Sequence, residues 1–487
     1  MDFNDHNKLL KGQDSMTEAK DLISDLPDSL LHHILSFLEI KYVARTSVLS
    51  KRWNYIWTSI PTLDFKHWLP SSLETSKFMD FLDGTLHRHN ISNIQKFSLL
   101  WNRHLNESRV NSWISNLIRL EVQEFNLFLD QVKPFSVPLS LCNCASLLSL
   151  TLEITPNIYF PKDISFPRLK RLHLYGVKFT SNYWNEQFFS NCAVLEDLVI
   201  GFCNWIDVKS FCISNPTLKV LKILNPQENE DGYRDCALEI HAPNLESLTY
   251  KGRVAKEYLL SRFRNLVEAK IDFVVDDGAT REQRIGQVAS VRKFVRTLSR
   301  VNYLSISDRT LQILSITDGF VRNLPMYHYL FKLNLTKKTT TDGALIVFLK
   351  TAPNLEIMEF KGFTDDEIDG EDNDEGEDNH DIEDNNFGTA EGENNNDKGN
   401  NAWEIDSVAT RCIFLQLKSV SFKNFSGDPR EFRWVKLILR NARILESMMI
   451  YGDRSLDMES EKVIMVELSS LPRASASCVF KLYSHPG

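Results

Sequence analysis

Thirteen times along this 487-residue chain, apolar residues stand at offsets 0, 3 and 5 of a short segment that ends in small or polar residues. Clear copies are Leu147-Leu150-Leu152, Leu169-Leu172-Leu174, Leu195-Leu198-Ile200, Leu218-Leu221-Ile223, Leu245-Leu248-Tyr250 and Leu355-Met358-Phe360. Looser copies begin at Ile94, Val122, Leu266, Val301, Leu330, Leu417 and Leu445. Most successive starts lie 21 to 29 residues apart, a period typical of solenoid repeats. One gap of 62 residues contains an acidic run, and removing roughly 37 inserted residues restores the period.

Flanking residues recur as well: Pro167, Pro216, Pro243 and Pro353 each stand two positions before the first leucine, and Cys144 and Cys192 three before. Asn102 and Cys203 fall where a turn-capping Asn or Cys is expected. Each copy predicts a short strand with offsets 3 and 5 inward and the intervening residues outward. One such strand cannot bury its own apolar face, so stacking in parallel is required, and the outer sheet becomes a concave binding surface. The pattern resembles the irregular leucine-rich repeats of plant F-box proteins.

Residues 21–57 have a different character. Leu26, Leu30, Ile34, Leu35 and Leu38 are expected on one helical face, with Pro27 and Asp28 suited to a first turn. Val43, Val48 and Leu49 lead to Trp53, Ile56 and Trp57. So short a segment cannot bury all these side chains by itself. Leu26-Pro27-Asp28, Ile34-Leu35-Ser36-Phe37-Leu38 and Thr46 to Trp53 together resemble an F-box, although Glu39-Ile40 replaces the Pro-Thr pair often found there. The resemblance implies docking on a Skp-type adaptor, and through it a cullin, by Leu26, Pro27, Leu30, Ile34, Leu35, Leu38, Val43, Leu49 and Trp53.

Near the C-terminus, Asp428-Pro429-Arg430-Glu431 reads as a capping box with proline in the first turn. Phe432, Val435, Ile438, Leu439 and Ala442 continue it as an amphipathic helix. This helix and its flanking strands resemble the FBD module, whose simplest role here is a terminal cap for the solenoid.

The expected architecture is therefore α/β: an α-helical F-box, then a parallel-strand horseshoe of leucine-rich repeats ending in an FBD-like cap. The expected boundaries are a disordered segment 1–18, F-box 19–68, repeats 90–363, an acidic disordered insert 364–402 and FBD 403–487.

Charge excludes little. Residues 365–398 hold sixteen acidic side chains against one lysine, and without their −15 the chain's −9 becomes +6. Neither nucleic acid nor a membrane is implied as a partner. No stretch has the length of a signal peptide or a span, so cytoplasm or nucleus is expected. Eight cysteines without a Cys-x-x-Cys point to reduced thiols, and Cys142 and Cys144 are too close for the usual zinc spacing. No metal or cofactor is expected. Phosphate-loop, dinucleotide, metalloprotease and nucleophile-elbow motifs are absent, so no catalytic residue is assigned.

Three functions fit: substrate receptor of a cullin-type ubiquitin ligase, ligase-independent scaffold, or small-molecule sensor. In the first two a target protein would meet the outward strand residues, among them Arg171, His173, Tyr175, Lys222, Lys251, Lys332 and Lys361. These mix with acidic neighbours such as Glu153, Asp197 and Glu359, so partner charge is not legible.

Overall fold

Every one of the thirteen copies forms a strand, and every strand begins two residues after the copy's first apolar position. The computed structural model describes residue 23 and residues 25–66, 75–89, 94–161, 164–180, 187–225, 235–274, 280–316, 324–336, 342–361, 413–453 and 458–483. The expected N-terminal segment 1–18 and acidic insert 364–402 lie outside the described residues. The chain divides into two compact units, 1–126 and 127–487.

The first unit opens with α1 (Asp28–Leu35), α2 (Ile40–Arg45), a 3-10 turn (Thr46–Val48) and α3 (Lys51–Trp57). After these come β1 (Thr62–Phe65), α4 (Thr75–Arg88), β2 (Lys96–Trp101) and α5 (Glu107–Arg119), and β3 (Glu124–Asp130) spans the boundary between the two units. β1 pairs in parallel with β2, placing Leu63 opposite Phe97 and Phe65 opposite Leu99. With Ile60, these residues make a further copy of the repeat that is hidden directly behind the helices. The Asn106 side chain caps α5 by accepting from the Arg109 amide at 3.2 Å. The helix then buries Val110, Trp113, Ile114 and Leu117, the spacing of a single helical face.

The second unit continues with β4 (Phe135–Ser136), α6 (Leu139–Cys142), β5 (Ser149–Tyr159), β6 (Arg171–Val177), β7 (Asp197–Gly201), β8 (Ser210–Ser214), β9 (Val220–Asn225) and β10 (Ala237–His241). Next are β11 (Ser247–Arg253), β12 (Glu257–Leu260), β13 (Glu268–Val274), α7 (Arg281–Thr297), β14 (Tyr303–Ser307), α8 (Asp308–Ser315), β15 (Lys332–Thr336) and α9 (Asp342–Leu349). The unit ends with β16 (Ile357–Lys361), β17 (Ser419–Phe425), α10 (Pro429–Asn441), β18 (Ser447–Gly452), α11 (Met458–Ser469) and β19 (Val479–Tyr483).

Its main sheet runs β5-β6-β7-β9-β11-β13-β14-β15-β16-β17-β18-β19. The pairing is parallel, and the offset-3 residues form one cross-strand row from Leu150 through Leu172, Leu198, Leu221 and Leu248 to Met448 and Phe480. Leu150, Leu172, Leu198, Leu221 and Leu248 are fully buried. Each contributes about 1.5–3 kcal/mol by leaving water. Single strands lack that contribution, because the row exists only when repeats stack.

The array resumes behind the acidic insert. β16 pairs with β17 from Ile357–Ser419 to Lys361–Lys423, and the Phe360 and Phe422 rings stack at 4.4 Å. The expected capping box is present on α10, with Pro429 at its start, and Phe432, Val435, Ile438 and Leu439 are buried.

One feature lies outside the sequence reading and one departs from it. Between repeats, the chain returns through helices in places but through a second parallel sheet, β12-β10-β8, in the middle of the array. Their alternation is short (Phe211-Ile213, Leu238-Ile240); β10 has Asp235 at the leading position, and the copy led by Val208 falls only 13 residues after the one that starts at Leu195, off the repeat period. Of the two expected turn caps, Cys203 is buried with its thiol donating to the Gly201 carbonyl at 3.1 Å, and burial pushes that thiol up to about 12. Asn102 is exposed, so the two expected caps are not equivalent.

Candidate functional site

The helical segment is built in two shells. Leu31, Leu35, Ile40, Val43, Trp53, Ile56 and Trp57 are all at most 5% exposed and make its core. Leu30, Ile34, Phe37, Leu38, Val48 and Leu49 stay between 44% and 85% exposed. Helical geometry sorts them: at 100° per residue, Leu31 and Leu35 share a stripe, and Leu30 and Ile34 share the next. This corrects the expectation that Leu35 lies on one face with Leu30 and Ile34. Leu38 lies beyond the end of α1, so it is held by the turn rather than by the helix.

Of the nine residues expected at the adaptor contact, Pro27, Leu30, Ile34, Leu38 and Leu49 are exposed and Leu26 is half-buried. Leu35, Val43 and Trp53 face inward and act only as support. Phe37 and Val48, the most exposed of the apolar side chains here, add to the exposed apolar set. Their signal was present in the motif but could not be distinguished from core residues by spacing.

Arg52 locks the arrangement. Its guanidinium donates to Asp28 Oδ1 at 2.6 and 3.1 Å and to the Leu26 carbonyl, tying α3 to the turn that starts α1. Leu-Pro-Asp and Lys-Arg-Trp, 24 residues apart in sequence, are thus in contact in the fold. Ser50 caps α3 by accepting from the Trp53 amide, so the arginine leaves from an ordered first turn.

The outward face of the second unit's sheet carries the other candidate residues. Arg171, His173 and Tyr175 share one side of β6. Arg171 donates to Ser149 Oγ at 3.2 Å, and His173 Nε2 lies 3.2 Å from Asp197 Oδ2. Tyr175 sits opposite Gly201, where a Cβ would come within 2.5 Å of the ring, so glycine is required for the tyrosine to lie across β7. Lys222 lies on β9 beside Thr249, and Lys251 on β11 beside Asp272.

Lys332 and Lys361 are at the other end. Lys332 is 3.1 Å and Lys423 2.6 Å from the nearly buried Glu359 carboxylate. Burial alone would push this carboxyl up, yet hydrogen bonds from Lys423 and Lys332 outweigh it and hold it below the usual carboxylate range. Six strand steps separate β6 from β15 in the sheet order, roughly 29 Å at about 4.8 Å per step. The seven expected residues thus form a long polar face rather than one pocket.

Comparison with known proteins agrees with this layout. The F-box domain family matches residues 23–64, the LRR repeats of "FBD-associated F-box protein At5g56370" match 110–264, and the FBD family matches 406–450. The "F-box/LRR-repeat protein At4g14096" of Arabidopsis thaliana is 31% identical over 360 residues, covering 71% of this chain and 74% of the relative. The "F-box/FBD/LRR-repeat protein At2g26030" from the same plant is 27% identical over 477 residues, covering 94% and 98%. The chain belongs to the plant F-box/LRR-repeat family, in its form with a C-terminal FBD.

Proposed function

We propose that this chain is the substrate-recognition subunit of an SCF-type cullin-RING ubiquitin ligase, docking through α1–α3 on a Skp-type adaptor and holding a target protein on the repeat face. The observation that carries this reading is the outward apolar surface of Leu30, Ile34, Phe37, Leu38, Val48 and Leu49 over a well-packed helical core. Exposed apolar side chains concentrated within 20 residues mark an interaction site. The chain supplies no catalytic side chain in this scheme. Its contribution is proximity, bringing a target to a ubiquitin carrier bound elsewhere in the assembly. The reading carries a cytoplasmic or nuclear location with it, and among the described residues no helix is long and apolar enough to cross a membrane.

Co-expression with a Skp-type adaptor tests it. The full chain should co-purify with the adaptor, and Leu30→Asp with Ile34→Asp should weaken binding at least about 100-fold, since both charges would be desolvated at the contact. Undiminished adaptor binding by the double variant would overturn the docking assignment.

A further inference from the structure

We propose that Cys212, Glu239 and His241 form a binding site for a zinc-type divalent cation on the outer face of the second sheet. Register brings them together: β8 pairs with β10 so that Cys212 stands directly opposite Glu239, and His241 lies two residues further along the same face of β10. The alternate residues Phe211, Ile213, Leu238 and Ile240 point into the core and are at most 1% exposed, which fixes the opposite side of both strands outward. The thiol sulfur, a carboxylate oxygen and an imidazole nitrogen all lie within 4.8 Å of one another. Glu239 Oε2 is already 3.8 Å from His241 Nε2. Zinc bonds of about 2.0–2.3 Å at the tetrahedral angle call for ligand separations of about 3.4–3.6 Å. Side-chain rotations have to close a difference of at most about 1.4 Å.

The surroundings suit a ligand set. Ser210 Oγ donates to Glu239 Oε1 at 2.6 Å, orienting the carboxylate and leaving Oε2 toward His241, as outer hydrogen bonds do in built metal sites. Glu257, on the next strand, is engaged by Lys293 at 3.0 Å and does not compete. Cys212 is in no disulfide and half-buried, and Glu239 is half-buried, so two of the ligands leave little hydration to displace. One sulfur, one nitrogen and one oxygen donor favour zinc over magnesium or calcium, which take oxygen ligands. A fourth position faces solvent and takes water. The residues come from successive repeats, 27 and 29 positions apart, so no short ligand motif marks them in the sequence.

Cobalt(II) titration of the full chain, prepared without a histidine tag, tests the site. The wild type should bind one equivalent with a near-ultraviolet thiolate-to-metal absorption that zinc(II) bleaches. Cys212→Ser should abolish the band, and Glu239→Gln or His241→Gln should weaken affinity at least about ten-fold, Ser210→Ala doing so less strongly. His241 is exposed and its replacement leaves the core untouched, so its variant reports on binding even where the serine variant folds poorly. No thiolate band in the wild type, a band that persists in Cys212→Ser, or unchanged affinity in both the Glu239 and His241 variants would overturn the proposal.

Discussion

The N-terminal helices and the repeat sheet use leucine differently. In the sheet, the apolar positions are consumed by stacking: Leu172, Leu198, Leu221 and Leu248 are fully buried, and the outward face is polar. In the helices, core and surface leucines alternate by one residue, with Leu31 and Leu35 inside and Leu30 and Ile34 out. An apolar residue thus marks the core in one region and both core and exposed surface in the other. Under the proposed function, recognition by the sheet would rest on its polar and aromatic face and recognition by the helices on hydrophobic area.

The sharpest way to break this contrast is to place the same charge in both regions. Leu221→Asp buries an unpaired carboxylate between Leu198 and Leu248 and should cost more than about 4 kcal/mol, giving aggregated protein on size exclusion. The Leu30→Asp/Ile34→Asp variant should melt within about two degrees of wild type, because its new charges sit in water. Equal destabilisation of the two variants would erase the distinction.

Sequence pattern carried the repeat strands well because a stacking row tolerates little variation: offsets 3 and 5 must be apolar in every copy. It failed where that demand relaxes. At β19 the first position is Ser477, and Phe480 and Leu482 are only half-buried on the last strand of the sheet, so the copy is too weak to see. β1 has a full copy in Ile60, Leu63 and Phe65, but its proximity to the helices made it read as part of them. At the candidate surfaces, spacing could list outward residues but not their partners. The ion pairs of Glu359 and the closeness of Cys212 to Glu239 depend on which strands become neighbours.

The two regions also differ in how their helices begin. α1 starts at Pro27 with no side-chain cap, whereas α10 starts with a full capping box. Glu431 Oε2 accepts from the amides of Ser426, Gly427 and Asp428 and from the Ser426 hydroxyl, all at 2.9–3.1 Å. Gly427 has a φ of +81°, which positions these amides around the carboxylate. Glu431→Ala removes a buried carboxylate acceptor, but Ser426 and Asp428 are exposed and water can replace part of what is lost, so the change should cost about 1–2 kcal/mol, read as a lower midpoint in urea. A loss below about 0.5 kcal/mol would mean that the array does not depend on this end.

Glu359 refines the comparison by showing that one charge on the polar face serves the fold. The carboxylate is 6% exposed and bridges Lys332 on β15 to Lys423 on β17, its own strand lying between them. Glu359→Gln should cost about 1 kcal/mol, a figure kept small because the lysines are 32% and 50% exposed and solvent screens them. The pH dependence has a definite sign. A carboxyl held below its unfolded value of about 4.3 contributes stability that is fully present above that pH and is lost as pH falls through the lower folded value. The gap in melting temperature between wild type and Glu359→Gln should therefore be widest near neutrality and narrow as the pH is brought below about 4. A gap that stays constant or widens on acidification would show that the bridge does not stabilise this end of the sheet. In that case the contacts from Lys332 and Lys423 to Glu359 would be surface pairs without a share in the fold's stability.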